Sequence, residues 1–481
     1  MNLLNSLSTL AVAACCLCHM AIASDESRPN IILLMADDLG YGHLGSYGQQ
    51  KILTPHIDRL AAEGMRFTHA YSGSSVCAPS RSVLMTGLHT GHTPIRWNTP
   101  GGATLEDDDI TLAEQLKAVG YRTGGFGKWG LGKENTPGHP NRQGFDEFFG
   151  QYDQVHAHFF YPWWVWHNEE KVMLPENENG KRGTYVHDIT HLHALAFIRS
   201  SGSAQGLAQA SETGEDGSPF FAYLPYIIPH VELIVPEDSK KQYLGKFPKH
   251  TIHEKREGYL YDEDSYTAYA GMISRLDDAV GEISALLVEL GIDDNTLFIF
   301  TSDNGAQGST WDDLVTFFDG TGGLRGSKGS LYEGGIRVPM IARWPGRIAA
   351  DTSSDIPTVH YDLFPTLGEI AGAEEIKTDG TSLTGELFGG DKSRLDKRPY
   401  LFWQTPGACA VRSGNWKLVR TDQWLPWELY DLGVDPAEAN NLADENRDTV
   451  FRLSRFAKAS YRTERDNDPT GPRTSHLDYV R

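Results

Sequence analysis

The sequence predicts an α/β fold: a mixed, mostly parallel sheet sandwiched by helices, with a smaller C-terminal α+β subdomain carrying an antiparallel sheet. Three observations predict it. Short continuous apolar runs at Asn30 to Met35, Pro219 to Leu224 and Thr296 to Thr301 have the character of strands buried on both faces. Helical patterns stand between them, above all Ser265 to Leu290, where Tyr269, Met272, Ile273, Leu276 and Val280 open a long apolar stripe that Gly291 closes. Near the C-terminus four short strand-like segments follow one another: Tyr400 to Trp403, Ala408 to Arg412, Trp416 to Arg420 and Glu428 to Asp431. Ser413-Gly414 marks a turn between two of them, and Glu445 to Tyr461 reads as a closing helix.

The chain of 481 residues is long enough for one large domain and a smaller one. We expect a large domain over 24–372 and the C-terminal subdomain over 373–481. The formal charge of −21 argues against a nucleic-acid partner, which calls for a basic face. Met1 to Ala23 reads as a secretory signal peptide: Leu10 to Leu17 is its apolar core and Ala21-Ile22-Ala23 a small-residue cleavage site. The expected location is therefore periplasmic or secreted. Val12-Ala13-Ala14-Cys15 is a rival processing site, a lipoprotein-like box that would tether the chain through Cys15. No later stretch is apolar and long enough to span a bilayer. Of five cysteines, Cys77 and Cys409 survive cleavage. That is too few for a disulfide framework, though one Cys77–Cys409 bridge stays open as an alternative.

In chain order, the first strand ends in Asp37-Asp38, followed by Gly40 and Gly42, which permit a bent loop. Strand C-termini are where open α/β sheets place ligands. A helix follows from Thr54-Pro55 to about Ala62, then a strand from Phe67 to Tyr71. Ser75 to Gly87 reads as a loop entering a helix, with Pro79 in its first turn and Gly87 ending it. Cys77 then sits at a helix N-terminus with Arg81 one turn later on the same face. The positive end of the helix favours an anion there and would lower the thiol pKa. Thr111 caps a short helix from Leu112 to Val119, and a Gly-rich strand then leads to Lys128.

Beyond Gly150 come His156, His158 and the run Phe159-Phe160-Tyr161-Pro162-Trp163-Trp164-Val165-Trp166. The rings are either a packed loop or a stacking surface for sugars at a pocket rim. On an extended segment His156 and His158 share one side, which makes them candidate substrate-binding groups. Residues 200–218 read as a polar surface loop, and Lys240 to Asp264 as charged and loop-like. His230 follows the Pro219–Leu224 strand, and Asp303-Asn304 follows the Thr296–Thr301 strand. Asp37, Asp38, Asp303 and Asn304 make an all-oxygen set, which suits Ca²⁺ or Mg²⁺ better than zinc. A Gly-rich loop carries Lys328, and Val359 to Ala371 reads as a helix ended by Gly372.

Cys77-Ala78-Pro79-Ser80-Arg81, with Thr86-Gly87 after it, resembles the type I sulfatase signature. Asp37-Asp38-Leu39-Gly40-Tyr41-Gly42, Gly127-Lys128-Trp129, Pro229-His230, Ser302-Asp303-Asn304-Gly305 and Glu333-Gly334-Gly335-Ile336-Arg337-Val338-Pro339 resemble further motifs of that family, in the same order. The resemblance implies an alkaline-phosphatase-like fold and hydrolysis of sulfate esters. It also implies that a separate formylglycine-generating enzyme oxidises Cys77 to formylglycine, whose hydrate attacks sulfur. Asp37, Asp38, Asp303 and Asn304 would bind Ca²⁺, with Mg²⁺ the alternative, and the oxygen on residue 77 would complete the shell. Arg81, Lys128 and Lys328 would face the sulfate oxygens, and His230 or Lys328 would protonate the leaving oxygen. The family usually carries His where this chain has Gly130, so the base for the last step is open and His156 or His158 is a candidate. The substrate would be a sulfated small molecule or polysaccharide. A phosphonate or phosphate ester hydrolase of the same superfamily, or an inactive carbohydrate-binding relative, are the competing readings.

Overall fold

The strand Asn30–Ala36 is the axis of the molecule, and Ile31 to Ala36 are wholly inaccessible to solvent. Alternation along it serves two cores at once. Ile32, Leu34 and Ala36 enter one core with the helices Pro55–Ala62, Val186–Gly202 and Ser265–Leu290. Ile31, Leu33 and Met35 enter the other with the helices Cys77–Thr86, Leu112–Ala118 and Leu363–Ala371. This is why the run is continuously apolar: neither face meets water.

The computed structural model describes residues 28–99, 102–203, 218–252, 258–308 and 311–462. The signal-peptide reading and the box at Cys15 lie outside these residues. The main sheet runs in the order Thr352–Ser354, Met65–Phe67, Met340–Arg343, Thr296–Ser302, Asn30–Ala36, Phe220–Pro225, Arg122–Lys128, Glu147–Gln151, Trp164–His167, Glu170–Met173. The five strands from Thr296–Ser302 to Glu147–Gln151 are mutually parallel. Their C-termini therefore share one edge.

The C-terminal unit is a four-stranded antiparallel sheet, Leu401–Thr405, Ala408–Ser413, Trp416–Arg420 and Glu428–Asp431. Trp403, Ala410 and Val419 pack on Tyr71 and Val83 of the main body, while Leu453 and Ala457 of the helix Arg447–Ala459 cover the other face. A buried ionic contact adds to this. Lys417 Nζ lies 2.9 Å from Glu333 and 3.0 Å from Glu438, with all three side chains inaccessible. The C-terminal sheet thus buttresses the Gly-rich loop that carries Lys328.

Several local expectations are corrected. Phe67 to Tyr71 is two short strands, Met65–Phe67 and Ala70–Tyr71. The helix expected from Val359 opens as a 3-10 turn, His360–Asp362, before Leu363–Ala371. The loop read from residue 200 begins later, because the helix runs to Gly202, and 204–217 lie outside the described residues. Cys77 and Cys409 are both free thiols, which removes the disulfide alternative. Among the described residues no helix is long and apolar enough to cross a membrane.

Candidate active site

Asp37 and Asp38 follow the Asn30–Ala36 strand, Lys128 closes Arg122–Lys128, and Asp303 and Asn304 follow Thr296–Ser302, all on the shared edge. His230 follows the Phe220–Pro225 strand by five residues. Asp38 takes a left-handed φ of 63°, which turns the chain sharply and lets two adjacent carboxylates enter one cluster. The helix Cys77–Thr86 delivers Cys77 and Arg81 to the same place; Val76 precedes it in extended conformation, and Gly87 ends it at φ 68°.

These side chains form one charged network. Arg81 donates to Asp303 Oδ2 through Nε at 3.2 Å and Nη2 at 2.8 Å, and to the Lys128 carbonyl through Nη1 at 2.8 Å. Lys128 Nζ donates to Asp37 at 2.7 Å, and Lys328 Nζ to Asp38 at 2.7 Å. Asn304 Nδ2 donates to Asp38 at 2.7 Å, and the Asp38 N–H to Asp303 at 3.1 Å. The Cys77 thiol donates to Asp37 at 3.4 Å. His230 donates from Nδ1 to the Val231 carbonyl at 2.8 Å, so its Nε2, 3.5 Å from Asp38, carries the lone pair.

Burial dominates the electrostatics. It would raise the Asp37 carboxyl, but the fixed cations Lys128, Arg81 and Lys328 hold it well below the usual carboxylate range. Burial pushes Asp303 up to about 7, with Asp37 adding to the effect and Arg81 opposing it. Burial also overturns the expectation of a lowered thiol pKa. Away from water, and beside Asp37, the Cys77 thiol rises to about 12, despite the helix terminus and despite Lys128 and Lys328.

The residues present fit a hard divalent cation. Asp37, Asp38 and Asp303 are fully buried carboxylates close together, and Asn304 Oδ1 is buried with no hydrogen-bond partner. An unpaired carbonyl oxygen among crowded carboxylates is the donor set that Ca²⁺ or Mg²⁺ takes. One ring nitrogen of His230 and the sulfur of Cys77 also lie within reach of Asp37 and Asp38.

A cavity of about 280 Å³ opens onto this network, lined in part by Cys77, His230 and Lys328. His158 lines it too; its ring stands 4.4 Å from that of His230, and Tyr259 Oη lies 2.8 Å from its Nδ1. His156 does not line it. The two histidines lie in a 3-10 turn, His156–His158, rather than an extended segment, so they do not share a side. His156 is buried against Trp164 at 4.1 Å between centroids. None of the aromatic run Phe159 to Trp166 lines the cavity either; Phe159, Phe160, Tyr161 and Trp166 are packed inside.

Residues that carried no signal in the sequence complete the walls: Trp97, Asn98 and Gln307. Glu232, fully buried, accepts from the N–H groups of Phe160 at 2.9 Å and Leu260 at 2.7 Å, and its own N–H donates to the His158 carbonyl at 3.1 Å. It ties three segments into the wall that presents His158, Tyr259 and His230. Gly130 has a φ of 77°, and a Cβ there would stand 2.5 Å from Gln154 Oε1. Gln154 fills the space that a side chain at 130 would enter, and both polar atoms of its amide are buried without partners.

The chain matches the sulfatase family model over residues 29–373 and the model for the N-sulphoglucosamine sulphohydrolase C-terminal region over 326–455. It is 33% identical to arylsulfatase A of Bos taurus, over 91% of this chain and 86% of that protein. It is 29% identical to an N-acetylgalactosamine-6-O-sulfatase of Bacteroides thetaiotaomicron, over 92% of this chain and 96% of that protein. Among solved structures it is similar to Ps i-CgsB in complex with k-i-k-neocarrahexaose, at 27% identity and a TM-score of 0.71, covering 94% of this chain and 96% of that one. Likeness to the phosphonate monoester hydrolase of Agrobacterium radiobacter, at 22% identity and a TM-score of 0.62 over 90% of this chain and 95% of that one, extends to the fold alone.

Proposed function

Because the chain belongs to the sulfatase family and is a sulfuric ester hydrolase, we propose that it removes sulfate from a sulfated carbohydrate, with Cys77 converted to formylglycine as the reactive group. The observation that carries the reading is the convergence of Cys77, Lys328 and His230 in one cavity, above Arg81, Lys128 and the buried carboxylates. A carbohydrate substrate is supported by the relative named for N-acetylgalactosamine-6-O-sulfate chemistry and by the neighbour bound to a neocarrahexaose. The cavity volume, about 280 Å³, lies near the small end of ligand sites, roughly 300–1,000 Å³, and suits a single sulfated unit. The catalytic unit would span residues 24–372 and the subdomain 373–481, in an exported protein matured by a formylglycine-generating enzyme.

Asp37, Asp38, Asp303 and Asn304 would hold Ca²⁺, or Mg²⁺, which supplies positive charge where the sulfate oxygens and nucleophile gather. Formylglycine, as its hydrate, supplies one hydroxyl for attack on sulfur and a second whose deprotonation expels sulfate. The remaining work falls to the chain's own groups. Lys128 and Lys328 place fixed cations beside the sulfate position, where charge develops. Lys328 donates the proton to the departing alcohol oxygen. His230 cannot do so in this tautomer: its Nδ1–H is committed to Val231, and Nε2 is an acceptor. It stands instead as a hydrogen-bond acceptor in the cavity lining.

A phosphate or phosphonate ester hydrolase is the competing enzyme. Paired aryl sulfate and aryl phosphate esters separate the two. Efficient turnover of the sulfate with weak turnover of the phosphate is expected, and the reverse ranking overturns the reading.

The cavity position of His158 makes it the candidate for the base that Gly130 does not provide. His158→Ala is expected to lower kcat by about a hundredfold, in line with general-base contributions of roughly 10²–10⁴. His156→Ala is expected to leave kcat nearly unchanged, because His156 packs outside the cavity. Steady-state kinetics of both variants checks this, and equal effects would remove His158 from the role.

A further inference from the structure

A second cluster of metal-ligating side chains lies along the strand Glu147–Gln151, away from the cavity. Lys128 pairs with Gln151 at the catalytic edge, whereas Glu147 begins the strand, roughly 13 Å away at about 3.3 Å per residue. Glu147 and Phe149 share one face by alternation, and His167, the cross-strand partner of Phe149, lies on that face too. The helix Val186–Gly202 covers it and lays the His193 ring flat on Phe149, with centroids 3.7 Å apart and planes at 10°. Register and helix packing thus bring three ligand types together from three elements.

The atoms are placed for ligation. One carboxylate oxygen of Glu147 and one ring nitrogen each of His167 and His193 all lie within 4.8 Å of one another. His167 Nε2 is 3.5 Å from Glu147 Oε1, close to the separation of about 3.3 Å between two ligands on a tetrahedral ion with bonds near 2.0–2.1 Å. The other carboxylate oxygen faces Arg122 Nη2 at 3.6 Å, which would orient the group from behind. Among the described residues the His193 nitrogens have no hydrogen-bond partner, so the ring is available to an ion. The cluster of His89, His92 and Asp379 is different: His89 Nδ1 accepts from the Gly91 N–H, and His92 Nδ1 is held by Asp379 at 2.8 Å.

We propose that Glu147, His167 and His193 form a binding site for a borderline divalent cation of the Zn²⁺ type, with a fourth position open to water. Two imidazoles and one carboxylate select against Ca²⁺, which the all-oxygen set at Asp37 would take. The ion would clasp the sheet to the helix that covers it and stabilise the fold by mass action. The site does not depend on the sulfatase reading.

The test uses the untagged full-length protein, stripped of metal and held in excess Ca²⁺ to occupy the oxygen site. Calorimetric titration with Zn²⁺ is expected to show one site per chain, with a rise of several degrees in Tm, and Co²⁺ is expected to give the visible absorption of tetrahedral nitrogen–oxygen ligation. Both signals should vanish in His167→Ala and in His193→Ala, with sulfate ester hydrolysis unchanged. If a histidine variant fails to fold, Glu147→Gln gives the same reading. Absence of Zn²⁺ binding, or binding that survives these substitutions, overturns the proposal.

Discussion

Cys77→Ala is expected to lower kcat/KM for sulfate esters by at least about a thousandfold while the fold stays intact. The loss is large because the proposed source of the nucleophile goes, and the groups that remain would only bind and polarise substrate. The fold survives because the change is small. Cys77 is buried at the start of its helix, an alanine fills most of its volume, and the helix still ends at Gly87. The substitution removes the thiol hydrogen bond to Asp37, but that carboxylate keeps Lys128 at 2.7 Å and Arg81 at 3.5 Å. A stability change of about 1 kcal/mol or less is expected, the usual worth of one hydrogen bond. Steady-state assays with an aryl sulfate and thermal unfolding of the same preparation check both halves. Retained turnover would exclude Cys77 from the chemistry.

Arg81→Ala is expected to damage both activity and stability. Arg81 is wholly inaccessible and makes three hydrogen bonds, two to Asp303 and one to the Lys128 carbonyl. Its removal leaves Asp303 buried beside Asp37 and Asp38 with its main cation gone. Breaking a buried pair from one side costs roughly 3–5 kcal/mol. The Lys128 carbonyl also loses its donor, so the C-terminal end of the Arg122–Lys128 strand is no longer anchored. A drop of several degrees in Tm and a fall in kcat of about a hundredfold or more are expected. Arg81→Lys keeps the charge but cannot reproduce the fork, so it should recover part of the stability and little of the rate. Wild-type melting in Arg81→Ala would contradict the role given to this network.

Much of this was legible in the sequence, for a definable reason. Asp37, Asp38, Asp303 and Asn304 sit next to the ends of apolar runs, Lys128 ends a Gly-rich strand, and parallel strands deliver their ends to one edge. The Cys77 helix was legible from Pro79 and Gly87, which act on their own neighbours. What failed depended on distant parts of the chain. The thiol pKa follows from burial among Asp37, Lys128 and Lys328, not from the helix terminus alone. The spacing of His156 and His158 gave a shared face only on the assumption of extended backbone, and a 3-10 turn separates them. Trp97 and Asn98 reach the cavity through tertiary packing, whereas the conspicuous rings after Phe159 pack inside. The departure at Gly130 was visible, but its physical setting was not: Gln154 already occupies the adjoining space, and the backbone there is left-handed.

The proposed chemistry requires that residue 77 of the active protein is no longer a cysteine. Mass spectrometry of the proteolytic peptide carrying residue 77, taken from a preparation that hydrolyses an aryl sulfate and was produced in a host with a formylglycine-generating enzyme, tests it most directly. The expected result is the mass of an aldehyde in place of the thiol, with loss of thiol-specific alkylation at that position. An unmodified, alkylatable Cys77 throughout a fully active preparation would contradict it.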